Sequence, residues 1–164
     1  MSLLSTLFAC SKRDEQVIPP VNLNKPVENP KLLAALKSAA DSGDTYAAHR
    51  VTTEVNHANF LIPILADQMA TKPGKEPGQG VVEKDSRISF LLCADESGGN
   101  LLPLFTDWPS IKSWTTQQVS TLVMPSKDAW SFVLSHKEYS GAIVNPAGPS
   151  LKLPRSLIQK LNAE

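Results

Sequence analysis

Apolar positions along the chain repeat with two distinct periods, and the repeating segments are separated by breaks rich in proline, glycine and small polar residues. From Asn29 onward, Leu32, Leu33, Leu36, Ala39 and Ala40 recur at helical spacing until Ser42-Gly43 stops the run. Asn29-Pro30 suits the start of that helix. An asparagine side chain can accept from a free backbone N–H, and a proline at the first helical position has no N–H left to satisfy. Asp44 is placed to cap a second helix from Thr45 to about Asn56, its charge matched to the positive end of the dipole. The β-branched Val51, Thr52, Thr53 and Val55 weaken the helical preference of this segment. Asn59 to Ala66 is apolar on both alternating faces, the pattern of a strand covered on two sides; Pro63 cannot donate to a ladder and favours an edge or a bulge.

Arg87 to Asp95 is a dense apolar run of strand length that breaks at Glu96-Ser97-Gly98-Gly99-Asn100 and resumes as Leu-Leu-Pro-Leu-Phe-Thr-Asp, which predicts a hairpin with a return strand feeding a helix. Asp107 can cap that helix, with Trp108, Ile111 and Trp114 along one side. Val119 to Met124 reads as a strand. Pro125-Ser126 starts another helix, with Ser126 as cap, Asp128 in the first turn and Trp130, Val133 and Leu134 as its buried stripe. Gly141 to Asn145 is a short buried strand ended by Pro146 and Gly148. Leu151 to Leu153 can add an edge strand, and Leu157, Ile158 and Leu161 mark a final helix. Hairpin and crossover connections together predict an α+β, or mixed α/β, single domain: one mixed sheet of about five or six strands with helices packed on it.

Two segments fall outside this pattern. Residues 1–28 read as an N-terminal amphipathic segment, with Leu3, Leu4, Leu7 and Phe8 at helical spacing, followed by a tether containing Pro19, Pro20 and Pro26. Residues 29–164 form the domain, and the stretch 67–86, with Pro73, Gly74, Pro77, Gly78 and Gly80 among charged residues, reads as a mobile loop without packed structure. Leu7-Phe8-Ala9-Cys10 is similar to the end of a lipoprotein leader. It lacks a basic region before it and is shorter than a signal peptide, so the amphipathic helix is the preferred reading.

Composition narrows the function. The chain has 164 residues and a formal net charge of +0, so no long-range field draws it toward nucleic acid or an anionic membrane. No apolar run approaches the roughly 20 residues needed to span a bilayer. The two cysteines, Cys10 and Cys93, stand in unlike settings, which argues against a structural bridge and fits a reducing cytoplasm. Cys93, within Phe90-Leu91-Leu92, reads as a small buried hydrophobe with a raised pKa rather than a nucleophile. His49 and His57, both assigned to the second helix, would lie about 12 Å apart along its axis, too far to share a metal. His136 at a helix end reads as a cation facing the negative dipole terminus. Phosphate loops, nucleophile elbows and zinc spacings are missing from the sequence, so no catalytic residue, metal or cofactor is assigned.

What remains is chemistry at strand ends. Phe105, Thr106, Asp107 and Trp108, together with Asn145, fall where strands hand over to the next element, the place where α/β domains often form a cleft. These five are the candidate binding residues. The competing reading is that Asp107 only caps its helix and Asn145 only serves a turn.

Asn29 to Leu36, Ala58 to Pro63, Leu102 to Asp107 and Ile143 to Pro146, in this order and spacing, resemble the SseB family, specifically its N-terminal domain. The resemblance implies a bacterial, cytoplasmic α/β domain without an established activity. Many relatives carry a second, C-terminal domain, for which the residues after Leu161 leave no room. Three functions fit. The first is a non-enzymatic interaction or regulatory module that binds a protein partner or another copy of itself. The second is a binder or enzyme for a small ligand, an amino acid or related metabolite, working at the strand-end edge. The third is an immunity protein against a secreted toxin.

Overall fold

The computed structural model describes residues 26–43, 45–65, 71–73, 80–82 and 89–164. The N-terminal amphipathic segment, Cys10, most of the proline tether and the Asp44 cap therefore lie outside the described residues.

The mixed α+β class holds, and the expected single sheet is divided in two. Strands β1 (Asn59–Leu65), β4 (Ser89–Phe90) and β7 (Ser120–Pro125) form one antiparallel sheet in the order β4-β1-β7. Strands β5 (Cys93–Ala94), β6 (Asn100–Leu104), β8 (Tyr139–Val144) and β9 (Leu151–Pro154) form the other, in the order β5-β6-β8-β9. Within it β6 and β8 run parallel, Leu102 beside Ala142 and Leu104 beside Val144. The crossover between them passes through α3 (Trp108–Trp114), β7 and α4 (Ser126–Ser135). The sheets meet at one point, where Leu61 and Phe105 exchange two backbone hydrogen bonds of 2.9 Å.

The division explains the apolar run from Arg87. It does not make one strand: β4 pairs with β1, the chain leaves that ladder at Leu91-Leu92, and β5 pairs with β6. None of Ser89 to Ala94 is fully buried. The reversal at Asp95 to Gly99 is the predicted turn, with Gly98 at φ 80°.

Strand β1 is covered on both faces, as its pattern predicts, but it is the middle strand rather than an edge. Pro63 is tolerated because the side of β1 that its nitrogen faces carries short partners only: Phe105 opposite Leu61, then Leu91, whose N–H donates to the Pro63 carbonyl. Phe60 and Ile62 enter the main core with Leu32, Leu36, Val55, Trp130 and Ile158, and Leu61 enters a smaller core with Phe105 and Ile111.

Helix α1 (Pro30–Ser42) ends at Gly43 in the left-handed conformation, its N–H bonded to the Ala39 carbonyl. Ala35 is buried and Ala40 exposed, so the inner stripe is rotated slightly from the predicted one. In α2 (Thr45–Asn56) Thr52 and Thr53 bond back to carbonyls four residues earlier, which keeps β-branched polar residues in a helix at little cost. His57 follows the helix rather than belonging to it, with Nδ1 2.8 Å from the Thr53 carbonyl.

Two predicted caps are replaced by tertiary bonds. Ser126 does not cap α4: Pro125 occupies the cap position, and Ser126 Oγ donates to the Asn56 carbonyl at 2.6 Å. Asn56 also accepts from Trp130 Nε1 at 2.9 Å, tying the end of α2 to α4. Asn29, at the head of α1, makes no capping bond either. The α4 carboxyl end is held from α5 (Arg155–Ala163), where Arg155 Nη1 donates to the carbonyls of Val133, His136 and Tyr139 and Nη2 to that of Leu134. His136 Nδ1 donates to the Phe132 carbonyl at 2.8 Å, and the cation that reaches the carbonyls at this end of α4 is Arg155.

The stretch predicted as a structureless loop contains a short hairpin, β2 (Thr71–Pro73) paired antiparallel with β3 (Gly80–Val82). The remainder of 67–86 is outside the described residues.

Candidate functional site

The parallel pair β6–β8 ends at one rim of the sheet. There the chain leaves β6 through Phe105-Thr106-Asp107 and leaves β8 at Asn145, whose N–H still bonds the Leu104 carbonyl at 2.9 Å. Asn145 takes φ 47°, a left-handed conformation that asparagine tolerates better than most residues. That turn aims its side chain back across the rim. Its Oδ1 accepts from Thr106 N at 3.1 Å and its Nδ2 donates to Thr106 Oγ1 at 2.9 Å. Thr106 Oγ1 in turn donates to Asp107 Oδ2 at 2.8 Å. The other carboxylate oxygen, Oδ1, accepts from Ser110 N at 2.8 Å and caps α3 as the sequence predicts.

Asn29 closes this cluster from the side of α1. Its Nδ2 donates to both the Asn59 and Thr106 carbonyls at 2.8 Å, while Oδ1 accepts from Asn59 N at 3.2 Å. One side chain thus joins the start of β1, the end of β6 and the head of α1. Thr106 is 0%, Asn145 2% and Asp107 8% exposed, and among the described residues no buried side-chain nitrogen or oxygen lacks a partner.

The predicted residues therefore come together but play different parts. Thr106, Asp107 and Asn145 converge as the sequence suggests, with their hydrogen-bonding capacity turned on one another. Asp107's partners are Thr106 and Ser110 rather than a histidine. Phe105 is fully buried against Trp114, ring centroids 5.2 Å apart, and reaches no surface. Trp108 does not join the buried stripe of α3, which Ile111 supplies; 40% of it is exposed. It stands beside a recess of about 270 Å³ walled by Pro26, Val27, Leu33 and Pro109. A second recess of about 260 Å³, lined by Leu33, Lys37, Ser110, Ser113 and Pro149, lies next to it, and Asp107 and Pro109 border both.

Sequence reasoning missed two members of this region. Asn29 matches a helix cap so well by type and position that its long-range role leaves no separate signal. Leu33 is assigned to the helix stripe by spacing, yet it faces the recesses. Elsewhere, burial pushes the half-buried Cys93 thiol up, which removes rather than adds nucleophilic character. On the surface, hydrogen bonds from Lys152 and then Ser97 hold Asp95 below the usual carboxylate range. Among the described residues no group of three metal-ligating side chains comes together, and no helix is long and apolar enough to cross a membrane.

Comparison with known proteins gives one family. Residues 32–160 match the SseB protein N-terminal domain, a span covering both sheets and Thr106, Asp107 and Asn145 of the cluster, with Asn29 just before it. The chain matches no curated protein and no solved structure.

Proposed function

The chain belongs to the SseB family through its N-terminal-type domain, and on that premise we propose that it is a non-enzymatic interaction module, bacterial and cytoplasmic, that presents the Trp108 edge to a protein partner. One observation carries the reading. The polar groups at the rim are consumed by one another, and the group left facing outward is an aromatic ring beside an apolar recess. A carboxylate whose two oxygens hold Thr106 and Ser110 is poorly placed to move a proton for a substrate. Tryptophan flanked by apolar walls has the chemistry of an interface hot spot. Asp107 and Asn145 serve this edge as positioning residues, fixing α3 so that Trp108 projects at a set angle.

The competing small-ligand reading would use the neighbouring recess, where Lys37, Ser110 and Ser113 supply polar groups. Two measurements separate the readings. A specific partner retained from native lysate by the wild-type chain is expected to be lost with Trp108→Ala, while the unfolding free energy changes by no more than about 0.5 kcal/mol, the range of a surface substitution. A thermal-shift panel of amino acids and related metabolites is expected to give no stabilisation. A ligand at 100 times its dissociation constant would add about 2.7 kcal/mol, and such a shift would sink the interaction reading.

A further inference from the structure

A groove of about 340 Å³ opens between the α1–α2 pair on one side and β9 with α5 on the other. Its floor is aliphatic, including Leu36, Val55, Leu153 and Leu161 from the main core, and its rims carry the exposed Ala40 and Ala48. Alanine is too small to close the gap between the helices, and no charged residue lines it. A neutral, unfilled aliphatic trough fits an apolar side chain and offers a charged partner nothing to read.

The groove takes in Leu36, Ala39 and Ala40 of α1, with Ser150 opposite. The described chain begins at Pro26, beside the head of the same helix, where Pro26, Pro30 and Leu33 wall the Trp108 recess. From Pro30 to Ala40 the helix advances about 15 Å. The sequence places 25 residues before Pro26, and Leu3, Leu4, Leu7 and Phe8 among them repeat at helical spacing, with the charges Lys12 to Glu15 held beyond them. The connector from Ala9 to Lys25, extended at ~3.1 Å per residue, reaches about 50 Å. That exceeds the advance of α1 from Pro30 to Ala40 about threefold. Tethering also raises the local concentration of the segment to about the millimolar range, so a small apolar contact suffices.

We propose that the Leu3–Phe8 segment docks its apolar side into the groove between α1, α2, β9 and α5 of the same chain. The apolar side of the segment and the aliphatic floor of the groove would then leave water together.

The native cysteines supply the probe. In the full chain carrying Cys93→Ala, a nitroxide on Cys10 sits two residues after Phe8. Amide signals of Ala40, Ala48 and Leu157 are expected to lose intensity relative to the reduced label, and Leu7→Asp with Phe8→Asp is expected to restore them. Intensity that is never lost, or that stays lost in the double variant, would overturn the proposal. So would loss confined to residues around Trp108. Loss that arises only between a labelled chain and a separate isotopically enriched one would assign the groove to a second copy, which also overturns it. In the otherwise native chain, methyl shifts of Leu36, Val51 and Leu157 are expected to move with the same double substitution while the Trp130 indole signal stays fixed; unchanged methyl shifts would count against docking.

Discussion

Six residues, Asn145 to Ser150, separate two regions that solve opposite problems. At the carboxyl ends of β6 and β8, four polar side chains from three parts of the sequence meet and leave no buried side-chain hydrogen-bonding atom unpaired. Where α1, α2 and α5 meet β9, three helices and a strand come together over aliphatic side chains and leave a trough. A buried polar group left unpaired costs about 1–3 kcal/mol, so such a cluster must be completed within the fold. Apolar surface at a groove costs far less per atom and can wait for an occupant. The difference teaches that polar groups here are closed into framework, while the surface left open beside β9 is apolar.

The sharpest way to break this contrast is to remove the centre of the rim. Asn145→Ala strands Thr106 N–H in a buried site and forces alanine into left-handed backbone, so urea unfolding is expected to show a loss of about 3 kcal/mol. Asn145→Gly keeps the backbone and loses only the bonds, and is expected to cost roughly 1 kcal/mol less. If both variants were neutral, the rim would not be framework.

On the groove side, Gly141→Ala drives a Cβ into the Leu153 carbonyl oxygen, where β8 must move away from β9. A destabilisation of about 2 kcal/mol is expected by thermal denaturation, in the range of overpacked cores. Asp107→Ala removes the α3 cap together with the acceptor of the Thr106 hydroxyl and is expected to lose about 1.5 kcal/mol, with Asp107→Asn milder because its amide oxygen can still accept from Ser110 N.

The smallest effects come from titration far from either region. Asp95 has a lowered pKa in the fold, so its contribution is complete above the unfolded carboxyl value of about 3.9 and is lost as pH falls through the folded one. Asp95→Asn is expected to flatten that acid limb in a pH series of melting temperatures. Cys93 and Tyr139 shift upward through burial, so stability falls as pH rises from the unfolded thiol value, about 8.5, toward the folded ones. Cys93→Ala is expected to remove the first part of that alkaline slope.

Much of the architecture is legible from periodicity alone. Pro30, Thr45, Asn59 and Leu151 start elements where spacing and breakers place them. The misreadings share a cause. Ser126 and Asn29 are types that cap helices, but a tertiary acceptor outbids the local backbone when both are in reach. The run from Arg87 is continuous in hydrophobicity, and hydrophobicity does not say that a strand changes partners at Leu91-Leu92. Arg155 carries a signal in the sequence as well. A cation at the first residue of a helix faces the wrong end of the dipole, which points to employment elsewhere, here at the carboxyl end of α4. At the candidate site, residue types predict that Thr106, Asp107 and Asn145 meet, but only geometry shows that they satisfy each other.

The meeting of the two sheets at Leu61 and Phe105 has a mechanical consequence. Two backbone bonds and the Asn29 bracket cross that seam, and the main core spans it, with Phe60 and Ile62 of one sheet in the same cluster as Leu102, Leu104, Ala142 and Val144 of the other. The backbone joint is narrow but the side-chain joint is broad, so the two ladders are tied into one cooperative unit. The amides of Leu61 and Phe105, on residues that are themselves buried, are expected to exchange with global unfolding rather than ahead of it.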